Sequence, residues 1–366
     1  MAGKIDFAIE NTSISIENKK RGSQMKKRVF FCSVACILTI LAFFLMCQPV
    51  QAQDKVIKLK YANFIPPAHK NAVLSEQWCK EIEKRTNGRV KITHFGGGTL
   101  VSAPQIYDST VKGICDIGHS VVSYTSGRFP LSEVVDLPLG YASGIQATRL
   151  VNAFYKKFKP KEFDDTEILY MHAHGPGYFH TKKVIASLDD IKGMRIKSTG
   201  ISSKIVQAIG GVPVTMPIPE TYDALQKGLA DGVLLNTDTL KSLRFGDYCH
   251  CTIENNGLGY TISFFVTMNK EKWNSLPPDI QNIFREVSEE YAEKMGQAWD
   301  DADKEAKEFV VRKGGHKFVT ASKEEVAKAR EKMKPIISDY VRNIKAKNLP
   351  GEEALKFCQD WLQANP

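Results

Sequence analysis

The sequence lacks what most catalysts and metal centres need. It has no G-x-S-x-G turn and no evident Ser-His-Asp set. Gly96-Gly97-Gly98 lacks the Lys-Ser/Thr of a phosphate loop and reads as a turn. Cys249-His250-Cys251 and the pair His172 and His174 offer ligand atoms, but not at the spacing of structural zinc sites. No metal or cofactor is therefore expected. Glu220 and Asp223 open a helix, where carboxylates stabilise the N-terminus without any catalytic duty. Of eight cysteines, only Cys79, Cys115, Cys249, Cys251 and Cys358 follow residue 52. An odd count does not suit a disulfide framework, so either the thiols are buried and free or one pair forms. Beyond residue 52 there is no second long apolar run, no internal repeat and no low-complexity tract.

What is present is a globular composition, 43% hydrophobic and 25% charged, over 366 residues, enough for two domains. The formal charge of +9 is inflated by residues 1–52, with seven Lys/Arg and three Asp/Glu; the remaining 43 against 38 leave +5. That excess is too small and dispersed to argue for nucleic acid, though it favours anionic ligands. Met25-Lys26-Lys27-Arg28, an apolar run over Val29–Cys47 and Val50-Gln51-Ala52 follow the order of a secretory signal peptide cleaved after Ala52. Met25 reads as the true start. The competing readings are an uncleaved anchor and a lipoprotein at Cys47. An exported, periplasmic chain is expected.

Alternation over Val56–Asn63, a helical stripe over Ala72–Thr86 and a strand at Val90–Phe95 begin a βαβ rhythm that continues to about residue 173. The expected fold class is α/β, in two lobes with helices covering the sheet faces. A crossover is expected at Gly175-Pro176-Gly177 and a return along Tyr260–Met268. The division is 53–174 with 262–299 as the first lobe, and 175–261 with 300–366 as the second. From Pro278 to about Lys313 runs an apolar stripe of Ile280, Phe284, Val287, Tyr291, Met295 and Ala298. It predicts one helix of about 35 residues, roughly 50 Å long, able to brace two lobes.

Ser187 to Asp238 carries the strongest pattern: Ile191-Lys192-Gly193-Met194-Arg195-Ile196-Lys197, Gly211-Val212-Pro213 with Met216, Glu220-Thr221-Tyr222-Asp223-Ala224-Leu225-Gln226, and Asp231-Gly232. Phe129-Pro130-Leu131 to Asp136-Leu137-Pro138 and Trp273 to Pro278 add to it. In this order the motifs resemble the substrate-binding proteins of TRAP transporters, the dicarboxylate-type periplasmic family. The resemblance implies a periplasmic-binding-protein-like fold with two α/β lobes, a hinge, a ligand cleft and a long bracing helix. It also implies a monomer that delivers a small organic acid to the small and large subunits of a membrane permease.

The same resemblance places the carboxylate anchor at Lys197, where the family has Arg, with Arg195 two residues earlier. Lys presents a point charge instead of a planar fork. Strand periodicity puts Arg195 and Lys197 on one face, so either serves, or both are solvated strand-end cations. The family's second Arg has no counterpart in His174 to Thr181; Tyr178, Phe179 and His180 stand there, pointing to one carboxylate on an apolar or aromatic body, or to simple core aromatics. Arg128 is a candidate second cation or a surface residue. Asn236 follows the strand Gly232–Leu235, one residue beyond the family's Asn. Asn63, Phe64 and His69 end the first strand and line the loop after it, where α/β lobes face ligands; His69 is a donor or a turn histidine.

Two other functions compete. An exported enzyme acting on such an acid needs a poised acid and base, and only scattered histidines are present. A module of an ABC importer or a sensor is disfavoured by the long helix and the Glu220–Gln226 motif.

Overall fold

The computed structural model describes residues 56–254 and 258–366, together with Met25. The expected signal peptide over 1–52 lies outside the described residues. Among them no helix is long and apolar enough to cross a membrane.

The first lobe is built on a five-stranded sheet of order β2-β1-β3-β10-β4. Its strands are β1 (Ile57–Asn63), β2 (Val90–Phe95), β3 (Ile117–Val121), β4 (Thr166–Ala173) and β10 (Ser263–Asn269). β1 runs parallel to β2 and β3, while β10 lies antiparallel between β3 and β4. The second lobe carries a six-stranded sheet of order β11-β9-β5-β8-β6-β7. It comprises β5 (Tyr178–Thr181), β6 (Arg195–Ser198), β7 (Val212–Thr215), β8 (Gly232–Leu235), β9 (Cys251–Glu254) and β11 (Lys317–Thr320). Helices α1 (Lys70–Arg85), α2 (Ile106–Val111) and α3 (Gly144–Phe158) belong to the first lobe; α4 (Ile201–Ile209), α5 (Thr221–Gln226) and α6 (Thr239–Ser242) to the second.

The chain leaves the first lobe after β4 and returns to it in β10. The two crossings touch, and small residues make this possible. The Gly177 N–H donates to the Tyr260 carbonyl at 3.1 Å. A Cβ on Gly177 would lie 2.1 Å from the Tyr260 ring, and one on Gly259 would lie 2.9 Å from Pro176 Cβ. Tyr260 cannot swing aside cheaply, because its hydroxyl donates to the Leu234 carbonyl at 2.6 Å from a fully buried position. Gly177→Ala is therefore expected to cost about 1–3 kcal/mol by overpacking, read as a lower urea midpoint with an unchanged slope.

After the short α7 (Lys270–Asn274) comes the long helix α8, Pro278–Lys313, 36 residues, with the whole expected apolar stripe buried. Its second half carries two carboxylates one turn apart. Asp300 accepts the N–H groups of Gly144 and Ile145 at 2.5 and 3.0 Å, capping α3 in the first lobe. Asp303 accepts from the Asn236 amide and the Asp238 N–H at 2.8 and 2.6 Å in the second. One helix thus holds both lobes. Two further helices follow, α9 (Lys323–Ala346) and α10 (Gly351–Ala364). α9 packs on α4 of the second lobe, and α10 packs both on α9 and on α3 of the first. Its buried edge of Gly351, Ala354 and Cys358, with Phe357 against Phe158 at 5.6 Å, needs an apolar partner that α3 supplies.

Cys79, Cys115, Cys249, Cys251 and Cys358 are all buried free thiols, so Cys249 and Cys251 form no pair.

Candidate functional site

The C-terminal ends of β1, β3, β6 and β8 converge between the two sheets, where open α/β sheets place their ligands. They enclose a cavity of about 50 Å³. That is several times the space one water needs. Phe64, Phe264 and Trp299 supply one wall from the first lobe and the long helix. Phe64 stacks parallel on Phe264 at 6.2 Å, and Phe264 tilts against Trp299 at 5.2 Å. Ile218, Leu235 and Leu243 close the other side.

Lys197 reaches this cavity from the last turn of β6. It is 1% exposed, and no carboxylate among the described residues pairs with it. Burial alone pulls its ammonium from the ordinary lysine range down to about 7. A lone buried cation in an apolar chamber is costly unless something anionic joins it.

The lobes meet directly around this chamber. His69 Nδ1 accepts the Asn71 N–H at 3.1 Å and so caps α1. That leaves Nε2 to donate to Asp238 Oδ2 of the second lobe at 2.8 Å, both side chains almost fully buried. The Ile218 N–H donates to the Tyr124 hydroxyl at 3.0 Å. Gly200, at φ 53°, lies so close to Ser123 that a Cβ there would approach it to 2.8 Å.

Of the residues expected from sequence, the structure brings Lys197, Asn236, His69 and Phe64 to the cavity. Asn236 spends its amide on Asp303. The others lie elsewhere. Arg195 stands at the opposite end of the four-residue β6, two residues and about 6.6 Å from Lys197. There it is half-exposed and forked onto Asp231 at 2.8 and 3.0 Å. Arg128 pairs with Asp165 and covers the Tyr107 ring at 5.2 Å, so it supplies no second cation to the cavity. Asn63 turns its carbonyl to the Ile65 N–H and its amide to His94, shaping the bend that presents Phe64. Phe179 is fully buried in the second lobe's core. Tyr178 lies beside it outside the cavity, its phenol pushed up to about 12 by burial and then by Glu254 and Asp303.

His174, Trp299 and Tyr124 line the cavity without having been singled out as ligand contacts from sequence. Trp299 stands one position past the apolar stripe, and an unusually large residue there was the available signal. Its indole donates to His172 Nδ1 at 3.0 Å, and His172 Nε2 meets His119 Nε2 at 2.8 Å. Both imidazoles are fully buried and held below their ordinary range by desolvation. They brace the wall, and no group of three or more His, Cys, Asp or Glu that could hold a metal ion occurs among the described residues.

Residues 63–343 match the family described as "Bacterial extracellular solute-binding protein, family 7". A TRAP periplasmic solute binding protein from Desulfovibrio salexigens superposes with a TM-score of 0.75 at 34% identity, covering 84% of this chain and 95% of that one. A TRAP solute binding protein from Rhodoferax ferrireducens, solved with copurified benzoate, gives 0.80 at 26% identity, covering 84% and 98%. The monocarboxylate 2-oxoacid-binding periplasmic protein of Nostoc sp. is 26% identical over 336 residues, 84% of this chain and 87% of its own length. The fold, the cleft between two sheets and the long helix agree with this match, and the chain belongs to the family 7 extracellular solute-binding proteins, the TRAP type.

Proposed function

We propose that the chain captures a small monocarboxylate with an apolar or aromatic body between its lobes and passes it to a TRAP membrane permease. One observation carries this reading: Lys197 is buried, without an ion-pair partner, and the single Lys or Arg among the residues lining a largely apolar chamber. A carboxylate placed there completes an ion pair, and a flat body fills the space beside Phe64, Phe264 and Trp299. The benzoate in the Rhodoferax protein and the monocarboxylate specificity of the Nostoc protein support the same ligand class. Contacts from both lobes around the cavity suit a closed state that a bridging ligand would favour. A carrier in place of a catalyst is supported by the match of residues 63–343 to the solute-binding family. Export to the periplasm as a monomer fits this role.

A thermal-shift panel tests it. Benzoate, phenylacetate and mandelate are each expected to raise the melting temperature of residues 53–366, refolded from denaturant to strip carried-over ligand. A ligand at 100 times its Kd adds about 2.7 kcal/mol. Succinate and malate are expected to do nothing at the same concentration. A preference for the dicarboxylates would overturn the single-anchor reading.

A further inference from the structure

His174 ends the strand that leaves the first lobe, and it lines the same cavity as Lys197. It is 2% exposed. Its Nδ1 lies 2.5 Å from the Gly175 carbonyl oxygen. A carbonyl only accepts, so Nδ1 must carry the proton. In a neutral imidazole the other nitrogen is then a bare acceptor. Burial favours the neutral ring, pulling it down to about 4 against the Gly175 carbonyl and the Asp238 carboxylate, which raise it, with the Lys197 charge adding a smaller downward push. Nε2 is itself buried and has no hydrogen-bond partner in the protein. The rings of Tyr260 and Trp299, edge-on at 5.8 and 6.2 Å, hold the imidazole in place. Leaving such an acceptor unsatisfied is costly, whereas a ligand that donates to it recovers that energy. The chamber therefore presents two polar features of opposite demand: a cation that wants an anion, and an acceptor that wants a proton donor.

We propose that His174 Nε2 is a specificity-determining acceptor, selecting carboxylic acids that also carry an O–H or N–H donor, aromatic hydroxy acids first among them. The proposal rests on the carboxylate reading of the cavity. It predicts discrimination inside that class. A phenolic or 2-hydroxyl group donates to Nε2; a 2-oxo group brings a second acceptor and a plain ring brings nothing. A site built around a buried polar group rejects analogues that leave it unpaired.

Matched acids decide the matter by titration calorimetry: mandelate against phenylacetate and phenylglyoxylate, and 3-hydroxybenzoate against benzoate. The donor-bearing member of at least one series is expected to bind about tenfold tighter or better, since 1.4 kcal/mol is tenfold. In His174→Phe that advantage should shrink to about threefold or less, through weaker hydroxy-acid binding with the donor-free acids retained. The wild-type protein gives an independent readout that needs no variant to fold. With 15N-labelled histidine, the His174 Nε2 resonance should shift from that of a bare nitrogen to that of a hydrogen-bonded one when the hydroxy acid is added, but not with the donor-free acid. Equal affinities within both series, still dependent on Lys197, would overturn this inference and leave the carboxylate reading standing. A wild-type advantage that survives His174→Phe, or an Nε2 resonance indifferent to the hydroxy acid, would also overturn it. Failure of every acid to bind would remove both.

Discussion

Lys197→Met is expected to abolish carboxylate binding and, at the same time, to make the ligand-free protein more stable. Removing the one cation leaves the carboxylate buried against apolar walls. The loss of a desolvated charge pair of this kind is on the order of 2–5 kcal/mol, about thirtyfold to several thousandfold in Kd. The gain in stability has the same origin. Folding takes an ammonium out of water and offers it no partner among the described residues, so its pKa falls from 10.5 to about 7. The unfolded chain then binds a proton more readily than the native one at every pH between those values. Stability of the native state must rise with pH across about 7 to 10.5, and the penalty stands in full below 7. Its size is roughly 4–5 kcal/mol at about 1.36 kcal/mol per pK unit. Methionine fills similar space with no charge to desolvate. Denaturant melts at pH 6 without ligand should therefore show a higher midpoint for the variant, beside flat calorimetric traces with benzoate or mandelate. A variant that is less stable and still binds would show that Lys197 is a packing residue and nothing more.

Binding should also draw a proton from solution, and affinity should decay in alkali. A carboxylate needs Lys197 charged. Below pH 7 it already is, and binding leaves the proton count unchanged. Above pH 7 the free protein is increasingly neutral there, so each ligand bound takes up as much as one proton, and the affinity falls by as much as tenfold per pH unit until the paired lysine itself loses its charge. His174, which lines the same cavity, is held down near 4 by burial and so stays neutral across this range. Calorimetry at pH 8 in buffers of different ionisation enthalpy should give a proton uptake approaching one, and close to zero at pH 6. Lys197→Arg, permanently charged, should lose the pH dependence whatever its affinity. Uptake that persists in that variant would assign the proton elsewhere.

The sheets, the crossings and the long helix were legible because each is a local pattern repeated. Alternation marks β1, glycines with proline mark the crossing, and a stripe of one apolar residue per turn marks α8. Lys197 was legible as a candidate too, once the motif around it was read as a whole, and the structure places it at the cavity. The fate of the other cations was not. Arg195 and Arg128 are claimed by Asp231 and Asp165, 36 and 37 residues further along, and nothing in the flanking sequence announces those partners. The aromatic wall was hidden for a similar reason. Phe64, Phe264 and Trp299 come from three distant segments, and only the packed sheets bring them together. Tyr178 and Phe179, standing where the family's second anchor would be, were the nearest aromatics in sequence, but β5 points Phe179 into the core. His174 was visible only as half of a spaced histidine pair, weighed and set aside as a metal site, and its place at the cavity depends on the packed sheets.

On the proposed export, the five unbonded thiols set a kinetic demand on the folding chain. Until it folds in an oxidising compartment, all five sulfurs are open to attack. Only the thiolate reacts; all five thiols are buried in the native state, and burial pushes Cys249 and Cys358 up to about 12, which leaves those two little thiolate at neutral pH. Protection thus depends on arriving at the native state before oxidants find the sulfurs, and a wrong bridge from Cys251 to Cys358 or Cys115 would lock out both sheets at once. Mutations that slow folding should therefore appear as lost yield and scrambled disulfides well before they appear as lost affinity.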